Sequence, residues 1–224
     1  TPSTRMVLLA TPNNPTGTAL TTGQLRTFLG CVAPSTVVVI DEAYREFLDP
    51  SFGDPVRELV PDFPNVVVTR TFSKAHGLAG LRIGWIATKN TNIYQSMASL
   101  KDYTTICNSA PSEFLAEVAL RNRQKLVARN LGIIKSNLEI IDDFITRHSS
   151  LFSWVRPAAG SMGFPKLLNG DVEDFCDGLV RKAGVLLLPG TLYDESHNHF
   201  RIGLGRKNLP QAVERLEAFI KDQS

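Results

Sequence analysis

The stretch TRTFSKAHGLAGLRIGW (69–85) decides how the chain is read. It leaves a β-branched run, Val66-Val67-Val68, and rejoins an apolar run at Ile83. Between them stands Lys74, flanked by hydroxyls and small residues, with Arg82 eight positions further on. A solvent loop needs none of that arrangement. A lysine whose neighbours are Thr, Ser, Gly and Ala is placed for contact with something polar and compact.

Outward from this stretch the chain alternates. "MVLLA" (6–10), "TVVVI" (36–40), "NVVVTR" (65–70) and "RIGWIAT" (82–88) read as strands. Thr21 or Thr22 caps a helix reaching about Ala33, with Leu25, Phe28, Leu29 and Val32 on one face. Non-alternating β-branched strands separated by helix-length segments predict an α/β domain with a mostly parallel sheet buried on both faces. From about Thr91 the pattern turns helical. Pro111 and Ser112 open one helix, and apolar residues recur at helical spacing from Leu126 to Ile145. After His148 come short strands in "SWVRP", "GFPKLL", "GVLLLPG" and "HFRIGLG", with helices near 171–183 and 209–221, a small α+β module. The expected division is 1–120 for part of a large domain, 121–148 for a linking long helix and 149–224 for a small C-terminal domain.

Composition excludes little but is consistent. The 224 residues are 43% hydrophobic and 21% charged, which permits a buried core and argues against disorder. The net charge of +2 and the lack of a basic block give no reason to expect a nucleic-acid partner. The densest basic stretch, Arg121 to Arg129, has the spacing of a solvated helix face. No apolar run is long enough for a membrane helix. The three cysteines, Cys31, Cys107 and Cys176, are scattered, which suggests reduced thiols and a cytoplasmic setting. No internal repeat is visible.

In open α/β sheets ligands gather at the carboxyl ends of strands. Here those ends carry Asn14 in "NNPTG", Asp41 with Tyr44 three residues on, and Thr71-Phe72-Ser73-Lys74, while Arg82 stands at the threshold of the fourth strand. Singly, each has a plain explanation: a cap, a turn, a solvated lysine, a surface ion pair. Their conjunction in this order and spacing outweighs those explanations.

"NNPTG", "DEAYREF", "SKAHGLAGLRIGW" and "FRIGLG" together resemble the signature of class I/II aminotransferases, the aspartate-aminotransferase-like, fold-type I enzymes that use pyridoxal 5'-phosphate. The wording of "DEAYREF" and "TFSKAHGLAGLRIG" is nearest the histidinol-phosphate aminotransferase branch, while "GSMGFPKLL" is less typical. The resemblance implies that Lys74 bonds covalently to the cofactor's aldehyde and afterwards shuttles a proton. It implies that Asp41 keeps the pyridine nitrogen protonated, and that Tyr44 and Asn14 donate to the ring's phenolate oxygen. Thr71, Ser73 and Arg82 would hold the phosphate, two hydroxyls and a guanidinium fork suiting a dianion. Arg201, in "HFRIGLG", would grip the substrate's α-carboxylate; a strand-edge ion pair is the plain alternative. His197 and His199 lack a third ligand at metal-site spacing, so no metal is expected. Trp85 and Trp154 read as core.

The resemblance further implies a homodimer acting on an amino acid or amino-acid phosphate and a 2-oxo acid. Family members carry a preceding stretch with a phosphate-binding turn and a ring-stacking aromatic. The chain therefore reads as a C-terminal portion, with bare sheet edges, exposed apolar surface and weak cofactor binding expected of it alone. Two other readings stay open: a same-fold decarboxylase, lyase or cyclase, and the aminotransferase-like sensor of a transcription regulator.

Overall fold

The computed structural model describes residues 3–194 and 197–222. The chain divides into two compact units: Thr1–Asn13 with Thr18–Ala128, and Asn14–Gly17 with Arg129–Ser224.

The first unit is built on a four-stranded sheet in the order β1 (Met6–Ala10), β2 (Val37–Asp41), β3 (Val66–Thr71), β4 (Gly84–Thr88). The first three strands are parallel; β4 runs antiparallel to β3, so the sheet is mixed. The reason lies in the connection. Residues 72–83 hold only a short 3-10 turn, Ala79–Leu81, with no helix to carry the chain back across the sheet, and a parallel return is usually made through a helix. The antiparallel return has a consequence for position. It puts the start of β4 beside the carboxyl end of β3, pairing Gly84 with Thr71.

Helix α1 (Thr22–Gly30) starts at Thr21, whose side chain accepts from the Gln24 N–H while the Gln24 side chain accepts from the Thr21 N–H. This reciprocal cap satisfies two otherwise orphaned donors. Leu25 and Leu29 of α1 pack on Val38 and Ile40 of β2, Val66 and Val68 of β3, and Leu59 and Val60. Leu59 follows α2 (Pro55–Glu58), a single turn capped by Asp54. Phe28, expected on the buried face, is instead exposed.

Burial on both faces of the sheet is not what the structure has. The face that packs α1 is closed. The other presents Met6, Leu8 and Ile86 at 55, 74 and 52% exposure, and of its strand residues only Val67 is buried. Continuous apolar strands suit two covered faces; the described elements cover one. The unit continues through α3 (Thr91–Thr104) and α4 (Ala110–Arg121), both with large exposed apolar side chains, among them Leu100, Tyr103 and Phe114.

Helix α5 (Arg123–Arg147) is 25 residues long, and the division between the units falls within it. The second unit adds β5 (Phe152–Ser153), β6 (Met162–Gly163), β7 (Lys166–Leu167), α6 (Val172–Ala183), β8 (Leu188–Pro189), β9 (Phe200–Gly203) and α7 (Leu209–Lys221). Its strands are shorter than the runs that announced them. β5 pairs with β7, and β9 lies between β6 and β8. Phe152 stands 5.5 Å from Phe144 and 5.8 Å from Phe200, ring centre to ring centre, and these three are almost wholly buried. Asn137 of α5 donates to the carbonyls of Leu204 and Arg206, both at 2.7 Å, tying the helix to the chain beyond β9. No helix among the described residues is long and apolar enough to cross a membrane.

Candidate functional site

Six of the expected site residues belong to the first unit, and the sheet explains their grouping. Asp41 ends β2, Thr71 ends β3, and the register pairs Asp41 with Thr69. Residues alternate faces along a strand, so Asp41, Thr69 and Thr71 share the open face while their neighbours Ile40 and Val68 face the core. The Asp41 carboxylate accepts from the Ala43 N–H at 3.0 Å and from the Thr69 hydroxyl at 3.3 Å. Both contacts use Oδ1. Oδ2 carries no hydrogen bond among the described residues, and the side chain is exposed.

Beyond β3 the chain turns tightly. The Thr71 hydroxyl lies 2.9 Å from the Ser73 hydroxyl and accepts from the Ser73 N–H at 3.1 Å. The Phe72 N–H donates to the Ile83 carbonyl at 3.1 Å, closing the loop onto β4. Buried Phe72, Ala75 and His76 anchor the segment, the His76 ring lying 5.1 Å from that of Phe72. Burial holds the His76 imidazole below its usual pKa, Glu46 pulling it up and Arg123 down. Between these anchors Lys74 is exposed, and its ammonium stands 5.2 Å from the centre of the buried Tyr44 ring. That is a favourable place for a cation.

Arg82 is exposed and adopts a left-handed backbone, φ 50° and ψ 50°. Non-glycine residues pay for that conformation, and such strain collects at functional sites. Gly84, two residues on, cannot be replaced: a Cβ there would lie 2.5 Å from the Arg70 carbonyl. The exposed fork of Arg82 thus enters the sheet at the end where Thr71 and Ser73 lie.

Asn14 and Arg201 belong to the second unit. Asn14 is exposed and precedes a cis proline peptide. The turn it begins docks through Gly17, whose carbonyl accepts from the N–H groups of Ala158 and Ala159. A Cβ on Gly17 would sit 2.3 Å from that of Pro157. Arg201 lies on the central strand of its sheet rather than an edge, its guanidinium 5.5 Å from the centre of the Tyr193 ring. It forms no ion pair with a described residue. Phe164 stands edge-on to Tyr193 at 6.2 Å and stacks flat on His199 at 5.1 Å, so the arginine tops an aromatic ladder.

Sequence reasoning missed Thr69 and Tyr193, which position Asp41 and Arg201. Only strand register reveals Thr69; nothing in the spacing of Tyr193 marks it. Trp85, read as core, is 40% exposed with the Arg70 guanidinium 5.0 Å from its ring. Among the described residues no three His, Cys, Asp or Glu side chains stand close enough to hold a metal.

The chain is 34% identical over 221 residues to an aromatic amino acid aminotransferase of Cutibacterium acnes, covering 99% of this chain and 59% of that protein. It is 34% identical over 224 residues to histidinol-phosphate aminotransferase 1 of Idiomarina loihiensis, covering 99% of this chain and 56% of that one. The chain thus spans somewhat over half the length of the curated relatives it matches. The crystal structure of a PLP-dependent aminotransferase from Streptococcus suis superimposes with a TM-score of 0.88 at 29% identity, over 99% of this chain and 59% of the other. The profile of the aminotransferase class I and II family matches residues 1–216, and the chain belongs to that family.

Proposed function

We propose that the protein is a pyridoxal-phosphate-dependent aminotransferase moving an amino group between an amino acid, or an amino-acid phosphate, and a 2-oxo acid. The observation that carries this reading is the constellation on one sheet end: an exposed lysine one residue beyond a hydroxyl pair, with an outward carboxylate on the neighbouring strand. This donor set fits a phosphorylated pyridine aldehyde: two hydroxyls and a guanidinium for the phosphate, a carboxylate for a ring N–H, and an amine for the aldehyde.

When bound, pyridoxal phosphate supplies an electron sink for the pair left at the substrate's α-carbon. The rest falls to the chain. Thr71, Ser73 and Arg82 hold the phosphate through charge-assisted hydrogen bonds. Asp41 keeps a proton on the pyridine nitrogen, since a nearby carboxylate favours the charged form. With Oδ1 held by Ala43 and Thr69, Oδ2 is the oxygen free to accept. Tyr44 donates to the ring's phenolate oxygen, and Lys74 Nζ carries the proton to and from the α-carbon. In the second unit Arg201, unpaired among the described residues and steadied by Tyr193, suits a bidentate grip on the α-carboxylate. The same reading makes the full-length protein a homodimer.

Borohydride reduction of the full-length protein with pyridoxal phosphate should label Lys74, as peptide mapping would reveal; label on another lysine would reject the assignment. Screening amino donors for the shift to the cofactor's amine form then separates transamination from decarboxylation or elimination. Loss of carbon dioxide or ammonia without that shift would reject transamination.

A further inference from the structure

Behind the site, on the closed face of the sheet, lies a group that an apolar core would not choose. Glu42 continues the inward row Val38, Ile40, yet its carboxylate is 1% exposed. Arg70 of β3 meets it through Nε at 2.8 Å and Nη2 at 2.7 Å. Nη2 of Arg70 also reaches Asp54 at 2.5 Å, the residue that caps α2. Arg45 approaches the other Glu42 oxygen at 3.6 Å and donates to the Gly53 carbonyl. The indole of Trp85, on β4, covers Arg70. Burying a carboxylate is costly, and such a network is poor value for stability alone.

Its members have a common relation to the site. Asp41 is followed by Glu42, Tyr44 by Arg45 and Thr69 by Arg70, so each of these site groups has a network residue next to it on the backbone. The backbone is pinned as well: the Glu42 N–H donates to the Thr69 carbonyl at 2.9 Å, and the Arg45 N–H to the Glu42 carbonyl at 3.0 Å. Resting on the proposed cofactor reading, we infer that Glu42 is a positioning residue. Through Arg70 and Arg45 it locks the ends of β2 and β3 and the turn to Tyr44, and so aims Asp41 at the pyridine nitrogen. It touches neither cofactor nor substrate.

A thermodynamic cycle on the full-length protein tests this, read by pyridoxal phosphate affinity from absorbance titration rather than by turnover. Glu42→Gln should weaken binding about tenfold in the wild-type background and less than about twofold in an Asp41→Asn background, the coupling expected of residues acting as one unit. Competition by inorganic phosphate should be unchanged, because the phosphate groups lie on the other loop. Equal losses in both backgrounds would overturn the inference, since a merely structural Glu42 acts additively; so would wild-type affinity in Glu42→Gln. Asp41→Asn binding as tightly as wild type would instead overturn the cofactor reading, and with it this one. Asp54→Asn, at the network's outer end, should show the same pattern at about threefold, and serves if Glu42→Gln does not fold.

Discussion

On one face of the four-stranded sheet Val38, Ile40, Val66 and Val68 lock against Leu25, Leu29 and Leu59; on the other, the sheet turns Leu8, Asp41, Thr69, Thr71 and Ile86 outward. The closed face supplies rigidity, and the open face carries the groups of the proposed site. Side chains that alternate along β2 and into the residue after it thus serve two ends. Ile40 is wholly buried, Asp41 is exposed with one carboxylate oxygen unbonded among the described residues, and Glu42 is buried again in ion pairs. Strand β9 repeats the contrast on a smaller scale, with Phe200 and Ile202 inward and Arg201 between them facing the Tyr193 ring.

Substitutions on the two faces should therefore fail in different ways. The largest effect belongs to Lys74→Ala: turnover of the full-length protein should fall below detection in a coupled assay. Its unfolding free energy should move by less than about 0.5 kcal/mol, as for an exposed side chain. A large stability loss would mean that Lys74 props the fold.

Ile40→Ala, on the closed face, should cost about 2–5 kcal/mol in denaturant unfolding through lost burial and a residual cavity. Preserved stability there would break the contrast outright.

Glu42 gives the next effect. Burial, opposed by Arg70 and Arg45 and assisted by Asp54, pushes its carboxyl from 4.5 to about 6. A raised carboxyl favours the folded state while protonated. Its contribution is full below pH 4.5 and is lost as pH rises through 6. Relative to Glu42→Gln, the wild type should lose about 2 kcal/mol of stability across that window, and the difference should be flat above it. Unfolding curves of the two proteins from pH 4 to 7 measure it; a rising difference would mean that the ion pairs outweigh burial.

Arg201→Lys should raise substrate KM about tenfold, roughly one charge-assisted hydrogen bond, with cofactor affinity unchanged. Equal losses of both would make it a scaffold residue.

The smallest effect is expected at Leu8. Leu8→Ala in the 224-residue chain should shift stability by less than about 0.5 kcal/mol. A cost of several kcal/mol in a longer chain would show that further residues close the second face.

Much of this was legible in sequence, and the gaps have a common origin. β-Branched runs marked the strands, and the polar residues ending them pointed to the candidate site, because burial and turn chemistry leave local marks. What left no local mark was pairing. A continuous valine run does not say which face is covered, so the open face was invisible. Nothing within "GWIAT" tells the direction of β4, and the antiparallel return is a matter of the connection rather than of the strand. Asp41-Glu42 reads as one acidic strand end; only the register separates an outward carboxylate from an inward one. Thr69 carries no local mark for the same reason. The long helices α5 and α7 were legible throughout, while the two-residue strands of the second unit shrank within the apolar runs that announced them.

The antiparallel return of β4 divides the assembly of the site by distance along the chain. Thr71, Ser73 and Lys74 lie within four residues, and the backbone bond from Phe72 to Ile83 closes their loop locally. The Asp41–Thr69 bond spans 28 residues and awaits pairing of β2 with β3. Loop-closure entropy makes the first arrangement quick to form and the second slow. In refolding, the hairpin proposed to hold the phosphate should precede the carboxylate proposed to face the ring, so the anchor would arise before the group it is meant to serve.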